Sequence, residues 1–211
     1  MNRFFSRHGV ITLCVLLMAA TGCARSGPTK FYVLSPLPSS KAETKSPTGQ
    51  RSIAIGIELI EMPKYLDRPQ IVTRRNPNEL ELSEFNRWAE PLDNNFSRVL
   101  GQNLSALLGA DPINPVSIFP FRGLAPIDYR VEVGVIRLDG TLGDTASLVA
   151  RWAIFGADGK EALSMRESTF NESTGGPGYE ALVSAESRAV ATLSREIAGA
   201  IKTILQKTPR K

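Results

Sequence analysis

Apolar residues recur at every second position in several short stretches of the chain, a period that is typical of half-buried β-strands. In one of these stretches the alternation runs through Ile53, Ile55, Ile57 and Leu59. The last three stretches are separated only by short segments that contain Asp and Gly, so they predict an antiparallel meander. The predicted strands are Lys30–Ser35, Ser52–Glu61, Val116–Phe121, Tyr129–Leu138, Ser147–Phe155 and Glu161–Asn171.

Two longer segments carry their apolar residues at helical spacing, along one side of each helix. The first is Pro91–Gly109, where proline suits the first turn and glycine suits the carboxyl-terminal cap. The second is Tyr179–Lys207, with Pro209 just beyond its end. Strands and helices in this order predict an α+β fold, in which one mixed, largely antiparallel sheet has two amphipathic helices packed on one face.

The amino terminus has the pattern of a secretory signal. Arg3 and Arg7 precede an apolar run of 11 residues at 10–20, which is shorter than the roughly 20 residues that a transmembrane helix needs. Residues 20–22 are small and are followed at once by Cys23. This arrangement resembles the bacterial lipobox, in which the cysteine is diacylated and becomes the first residue after cleavage. The lipobox prefers leucine at the position that alanine occupies here, three residues before the cysteine.

The lipobox divides the chain into a lipoprotein signal peptide of residues 1–22, a lipidated tether of residues 23–29 and a single domain of residues 30–211. Cys14 leaves with the signal, so Cys23 is the only cysteine of the mature chain and no intramolecular disulfide is expected. The alternative is ordinary cleavage that leaves Cys23 as a free thiol. Within the domain, residues 36–51 carry three prolines and predict a flexible loop.

Lipidation would attach the protein to a membrane. A diacylglycerol and an N-acyl chain on Cys23 exceed the single chain that binds only marginally, so the anchor is expected to be stable. In the lipoproteins that this sequence resembles, aspartate after the cysteine favours retention at the inner membrane. Ala24 stands there in this chain, and the resemblance therefore implies the periplasmic face of the outer membrane, with inner-membrane anchoring as the less favoured alternative.

The composition excludes several classes of function. The only histidine, His8, leaves with the signal, which excludes Ser-His-Asp and Cys-His catalysis and metal sites built from imidazole or thiolate. Loss of Arg3 and Arg7 lowers the formal net charge from +4 to +2, and no basic stripe with interleaved aromatic residues indicates nucleic-acid binding. We expect no metal, no cofactor other than the acyl chains and no enzymatic activity, although chemistry by paired carboxylates stays open.

Residues 62–92 contain three segments that stand out, YLDRPQIV at 65–72, NEL at 78–80 and RWAEPL at 87–92. Together with FYVLSP at 31–36 and the lipobox, this ordered set resembles the ABC-type transport auxiliary lipoprotein family, which includes paraquat-inducible protein C. The resemblance is weak in the last third of the chain. It implies a non-enzymatic accessory component that works with mammalian-cell-entry (MCE) domain proteins and their inner-membrane permease in lipid transport between two membranes.

The same stretch holds the candidate partner-binding residues, because Tyr, Trp and Arg are enriched at binding hot spots. Structural roles are the alternative. The neighbouring acid and base at 67–68 could form a local ion pair before Pro69, the tryptophan could be a core residue, and the glutamate could cap the following helix. The candidate set is Tyr65, Asp67, Arg68, Gln70, Trp88 and Glu90.

Other roles stay open at this point. An envelope-assembly or stress-related lipoprotein would use the same residues on a different periplasmic partner. The basic pair Arg74–Arg75 is interpreted as part of a solvated loop, with anionic lipid or an acidic partner as the alternative. A ring-shaped partner would make a homo-oligomer reasonable.

Replacing Cys23 by alanine removes the sulfur that would carry the lipid. We expect Cys23→Ala to leave the membrane fraction and to collect in the soluble periplasmic fraction, because no acyl chain would hold it. Envelope fractionation with immunoblotting measures this, and Cys14→Ala is the matched control that stays membrane-bound. A Cys23→Ala protein that is still recovered with membranes would contradict the anchor.

Overall fold

The computed structural model describes residues 27–38, 53–109, 116–119 and 126–207. Over these residues it contains an eight-stranded mixed sheet and two long helices, which confirms the predicted α+β class. The helices are α1, Leu92–Leu108, and α2, Tyr179–Lys207. The strands are β1 Lys30–Tyr32, β2 Ile53–Glu61, β3 Gln70–Asn76, β4 Glu79–Trp88, β5 Val116–Phe119, β6 Tyr129–Gly140, β7 Thr145–Gly156 and β8 Ala162–Ser173.

The predicted meander is confirmed. Strands β6, β7 and β8 pair antiparallel in sequence order, and their two ladders are the longest in the sheet. The turn from β7 to β8 contains Gly159 at φ 62°, a left-handed conformation that glycine adopts without steric cost. At the other turn, Asp139 and Gly140 were predicted to lie outside the strand, but they are the last two residues of β6.

Beyond β6 the sheet divides into two branches. Strand β7 occupies one edge of β6 along its whole length, so β2 and β3 share the other edge, and both run parallel to β6. Strand β2 pairs with the first half of β6, whereas β3 meets it only at the pair Thr73 and Gly140. Strand β5 pairs with β2, β4 with β3 and β1 with β4. Residues 62–69 connect the two branches, and we call this place the fork.

Two strands were not predicted from the sequence. Residues 70–88 form the β3–β4 hairpin, whose turn lies in the Asn-Pro-Asn stretch at 76–78. The register shifts between Gln70, paired with Arg87, and Val72, paired with Leu82, so β4 carries a bulge that breaks its alternation. The alternating residues 79–82, Glu-Leu-Glu-Leu, next to that turn were the available signal.

Both helices pack against the sheet and against each other. Helix α1 lies on β2 and β5, and α2 lies on β6, β7 and β8. Phe96 and Leu100 of α1 and Leu193 and Ile197 of α2 are fully buried in the core with Trp152 of β7, and each such side chain contributes about 1.5–3 kcal/mol of burial free energy. Among the described residues, neither helix is both long enough and apolar enough to cross a membrane.

The amino-terminal segment leaves the sheet after Tyr32, three residues earlier than predicted, because residues 33–38 cross the two helices instead. Leu34 is buried there. Residues 36–38 of the predicted flexible loop belong to this crossing, and residues 39–51 lie outside the described part. Three backbone amides form what we call the polar clip: Leu34 N donates to Asn95 Oδ1 at 2.6 Å, Ser35 N to Ser187 Oγ at 3.0 Å and Leu37 N to Asn103 Oδ1 at 2.7 Å.

Two glycines of β6 provide a matched test of the packing between the sheet and α2. A Cβ at Gly140 would lie 2.5 Å from Thr145 O and 2.8 Å from Leu182 Cδ1, whereas at Gly134 the nearest atom is Arg151 O at 3.9 Å. We expect Gly140→Ala to lower the free energy of unfolding by about 1–3 kcal/mol. Gly134→Ala is the control, with an expected change below about 0.5 kcal/mol. Urea denaturation measures both, and equal stabilities would contradict this packing.

Candidate functional site

A groove of about 760 Å³ lies at the fork of the sheet. One wall is formed by residues 60–69, which comprise the end of β2 and the segment that leads to β3. The other is formed by residues 88–93, where β4 passes into α1. The two walls are joined directly, because Trp88 N donates to Pro69 O at 2.7 Å. Ala89 N donates to Tyr32 O at 2.9 Å, which adds the end of β1 to the same framework.

The groove brings together most of the candidate residues predicted from the sequence. Asp67, Arg68, Trp88 and Glu90 all line it. Tyr65 points away from the groove into a buried cluster described below, and Gln70 is half-buried within β3. The separate segments at 65–72 and 87–92 are therefore two parts of one structure.

Asp67 and Arg68 do not form the local ion pair that was considered for them. The Asp67 carboxylate lies 3.7 Å from Lys64 Nζ, and because both groups are well exposed this pair contributes little to stability. The Nε of Arg68 is buried, and it has no hydrogen-bond partner among the described residues.

Glu90 does not cap the backbone of α1. The N-cap position is Pro91, with no side-chain hydrogen bond to the helix. Glu90 Oε1 instead accepts a hydrogen bond from Asn95 Nδ2 at 2.8 Å and contacts the guanidinium of Arg98. The Oδ1 of the same Asn95 accepts a hydrogen bond from the backbone amide of Leu34. By holding Asn95 in place, Glu90 therefore helps to fix the polar clip as well as one wall of the groove.

The base of the groove is apolar and its rim is charged. Trp88 is only 6% exposed and belongs to the core cluster with Leu66 and Leu92, so the structural interpretation of this tryptophan is confirmed. Four acidic and two basic side chains line the groove, which gives it a net negative charge: Glu61, Asp67, Glu90 and Asp93 against Lys64 and Arg68.

A fully buried carboxylate, Asp139, lies where β6 passes the fork. It accepts four hydrogen bonds: Tyr65 Oη to Oδ2 at 2.9 Å, Arg74 Nε to Oδ1 at 2.9 Å, Arg74 Nη2 to Oδ2 at 2.8 Å and Arg137 Nε to Oδ1 at 2.8 Å. We call these four residues the Asp139 cluster. The interpretation of Arg74 as a solvated loop residue is wrong, because this strand residue is paired with Asp139, while Arg75 is exposed and contacts Glu81.

The cluster shifts the pKa values of its members. Burial by itself would raise the pKa of Asp139, but the hydrogen bonds from Arg74, Arg137 and Tyr65 outweigh it, so the pKa lies below its ordinary value. Burial, and then the charge of Asp139, raises the pKa of Tyr65 to about 12. Burial, followed by repulsion from Asp139, also holds the pKa of Glu186 on α2 well above its usual range. Asp139 is therefore ionised at neutral pH.

The other predicted site lies outside the described residues. This applies to Cys23, to the signal peptide of residues 1–22 and to residues 23–26 of the tether. Within the described part of the chain, no group of three or more His, Cys, Asp or Glu is placed to hold a metal ion.

Comparison with known proteins identifies the family. Residues 32–198 match the family of the ABC-type transport auxiliary lipoprotein component. The match covers β2–β8, the fork, the groove and the first two thirds of α2, and the chain belongs to this family. No protein of curated function matches the sequence.

Two solved structures share the fold. An uncharacterized protein is 18% identical with a TM-score of 0.67, and the match covers 83% of this chain and 99% of that one. Protein XCC0632 from Xanthomonas campestris is 16% identical with a TM-score of 0.64, with 84% of this chain and 99% of that one covered. At these identities the likeness concerns the fold alone.

The Asp139 cluster is testable by its effect on stability. We expect Asp139→Asn to lower the free energy of unfolding at pH 7 by about 2–4 kcal/mol, because it removes the charge that satisfies two arginines. Tyr65→Phe removes only one hydroxyl, and we expect it to lower the free energy of unfolding by about 1 kcal/mol.

The pH dependence has a definite sign. A carboxyl group with a lowered pKa stabilises the folded state above its unfolded pKa of about 3.9, and this stability is lost as the pH falls through the folded pKa. The difference in the free energy of unfolding between the unchanged protein and Asp139→Asn should therefore become smaller as the pH falls. Urea denaturation between pH 7 and pH 3 measures it, and a deficit that stays constant over this range would contradict the assignment.

Proposed function

We propose that this protein is a non-enzymatic accessory lipoprotein of an MCE-type intermembrane lipid transport system, and that the groove at the fork docks its protein partner. The observation that carries the proposal is the meeting of two of the segments that carry the family resemblance, 65–72 and 87–92, whose residues 66–69 and 88–92 lie in opposite walls of one groove. The family description as a transport auxiliary lipoprotein component supports it further. The expected partners are the MCE-domain protein and the inner-membrane permease components with which it works.

The chemistry of the groove defines the segment that would bind. Trp88, Leu66 and Leu92 give it an apolar base that would accommodate an apolar side chain. The buried, unpartnered Nε of Arg68 is a donor that would gain a carbonyl or carboxylate acceptor on binding. The net negative rim favours basic residues on either side of that segment.

The acyl chains on Cys23 would hold the protein at the periplasmic face of the outer membrane. In this arrangement the anchor fixes one end of the molecule to a membrane, while the groove binds the transport conduit. The protein's contribution to transport is thus positional, and it needs no catalytic residue or cofactor besides the covalent lipid. Family membership in an auxiliary lipoprotein family supports both the anchor and the non-enzymatic role.

Docking is tested by Arg68→Ala, since Arg68 lines the groove with an unsatisfied donor. We expect capture of the MCE-domain partner from crosslinked envelopes to fall about tenfold or more, as for a hot-spot arginine. Arg151→Ala is the matched control, because Arg151 is an exposed residue of β7 outside the groove. Trp88 is unsuitable for this purpose, because truncating a buried tryptophan is expected to destabilise the fold by about 3–5 kcal/mol.

The circular dichroism spectra and melting temperatures of both variants should match those of the unchanged protein. Equal capture of the partner by Arg68→Ala and the unchanged protein would overturn docking at the groove. Groove-dependent capture of a different periplasmic protein would favour the envelope-assembly role instead.

A further inference from the structure

Two exposed phenylalanines stand out at the edge of the sheet formed by β1 and β4. Phe31 is 65% exposed and Phe85 is 44% exposed. Neither residue lines the groove at the fork or belongs to the core cluster. Exposed aromatic residues are informative when they occur together, because isolated ones are common on any protein surface.

The strand register places Phe31 on the outer face of the sheet, next to the stretch of β4 that carries Phe85. Strands β1 and β4 run parallel, with Phe31 opposite Arg87 and Tyr32 opposite Trp88. Tyr32 and Trp88 point towards the core, and Tyr32 Oη donates to Asn86 Oδ1 at 3.1 Å. Because side chains alternate along a strand, Phe31 and Arg87 point to the opposite, outer face. Phe85 lies two residues before Arg87, in the bulged part of β4, and its side chain is exposed as well.

This edge is the part of the domain nearest to the proposed anchor. Eight residue steps separate Cys23 from Phe31, which is a span of at most ~28 Å when fully extended and about 16 Å on average for a flexible chain. Residues 27–29, at the end of the tether, are exposed. Acyl chains in the bilayer would therefore hold the outer face of β1 within reach of the lipid surface.

We propose that Phe31 and Phe85 form a membrane-contact patch that rests in the headgroup layer of the bilayer beside the acyl anchor. Phenylalanine is among the apolar residues that insert at the boundary of headgroups and acyl chains in interfacial segments. The basic residue Arg87, which lies opposite Phe31, flanks the patch and suits anionic headgroups. The exposed acid nearby is Glu84, whose backbone carbonyl accepts a hydrogen bond from Arg87 Nε at 3.2 Å.

The patch would fix the orientation of the domain on the membrane, which an acyl tether alone leaves free. The proposal rests on the anchor at Cys23 from the proposed function, but it is independent of docking at the groove. Its occupant is a phospholipid surface rather than a second copy or a partner protein.

The test uses the full, lipidated protein reconstituted into vesicles of phosphatidylethanolamine and phosphatidylglycerol. With its sulfur bound to the diacylglyceryl group as a thioether, Cys23 does not react with thiol reagents, so Phe31→Cys and Phe85→Cys can each be labelled with a polarity-sensitive fluorophore. Met165→Cys is the matched control, because Met165 is 63% exposed on β8, at the opposite edge of the sheet. Circular dichroism should show that all three variants are folded.

We expect blue-shifted emission at positions 31 and 85, with quenching by headgroup spin-labelled lipid about twofold or more greater than at position 165. Equal, aqueous emission at all three positions in protein that floats with the vesicles would overturn the proposal and leave the anchor intact. Protein that does not float would overturn both.

Two further outcomes would assign the patch to another occupant and so overturn the proposal. Shielding of the labels at 31 and 85 without vesicles, rising with protein concentration, would assign the patch to a second copy. Shielding that appears only on addition of the MCE-domain protein would assign it to that partner.

Loss of partner capture in Arg68→Ala, with the labels at 31 and 85 still in lipid, would confirm that the two surfaces act separately.

Discussion

The buried carboxylate of Asp139 fixes the fork on which the candidate site depends. Strand β3 meets β6 through a single registered pair, so backbone pairing alone gives this branch of the sheet little support. Asp139 supplies the additional support for this branch, because its carboxylate accepts hydrogen bonds from Arg74 of β3, from Arg137 of β6 and from the hydroxyl of Tyr65 in the connecting segment. A charge buried in this way is stable only while its donors stay in place, which makes the local geometry specific.

The groove follows from that arrangement. Tyr65, bound on one side of the connecting segment, leaves the neighbouring side chains of Leu66 and Arg68 to form a wall on the other. The opposite wall is held by hydrogen bonds from Trp88 and Ala89, and Glu90 continues into the clip through Asn95. The groove, the first turn of α1 and the amino-terminal segment thus share one continuous set of hydrogen bonds.

Local periodicity was sufficient to predict the meander and both helices, since their apolar patterns are regular and their ends carry Gly and Pro. It failed at β3 and β4, where a bulge interrupts the alternation. The site was predicted in part: four of the six candidate residues line the groove, but the role of Tyr65 depends on a partner 74 residues away. No pattern within a short window contains such a pairing, and the Asp-Gly dipeptide at 139–140 indicated a turn rather than a buried carboxylate.

The clip also determines how the domain would respond to tension on its amino terminus. A force that pulls on the amino terminus acts first on β1, whose three residues pair in parallel with β4. It acts next on the three backbone amides that donate to Asn95, Ser187 and Asn103. Buried Leu34 lies between them. Force applied at a membrane tether would therefore pass from β1 to both helices through the clip, rather than act on one strand alone.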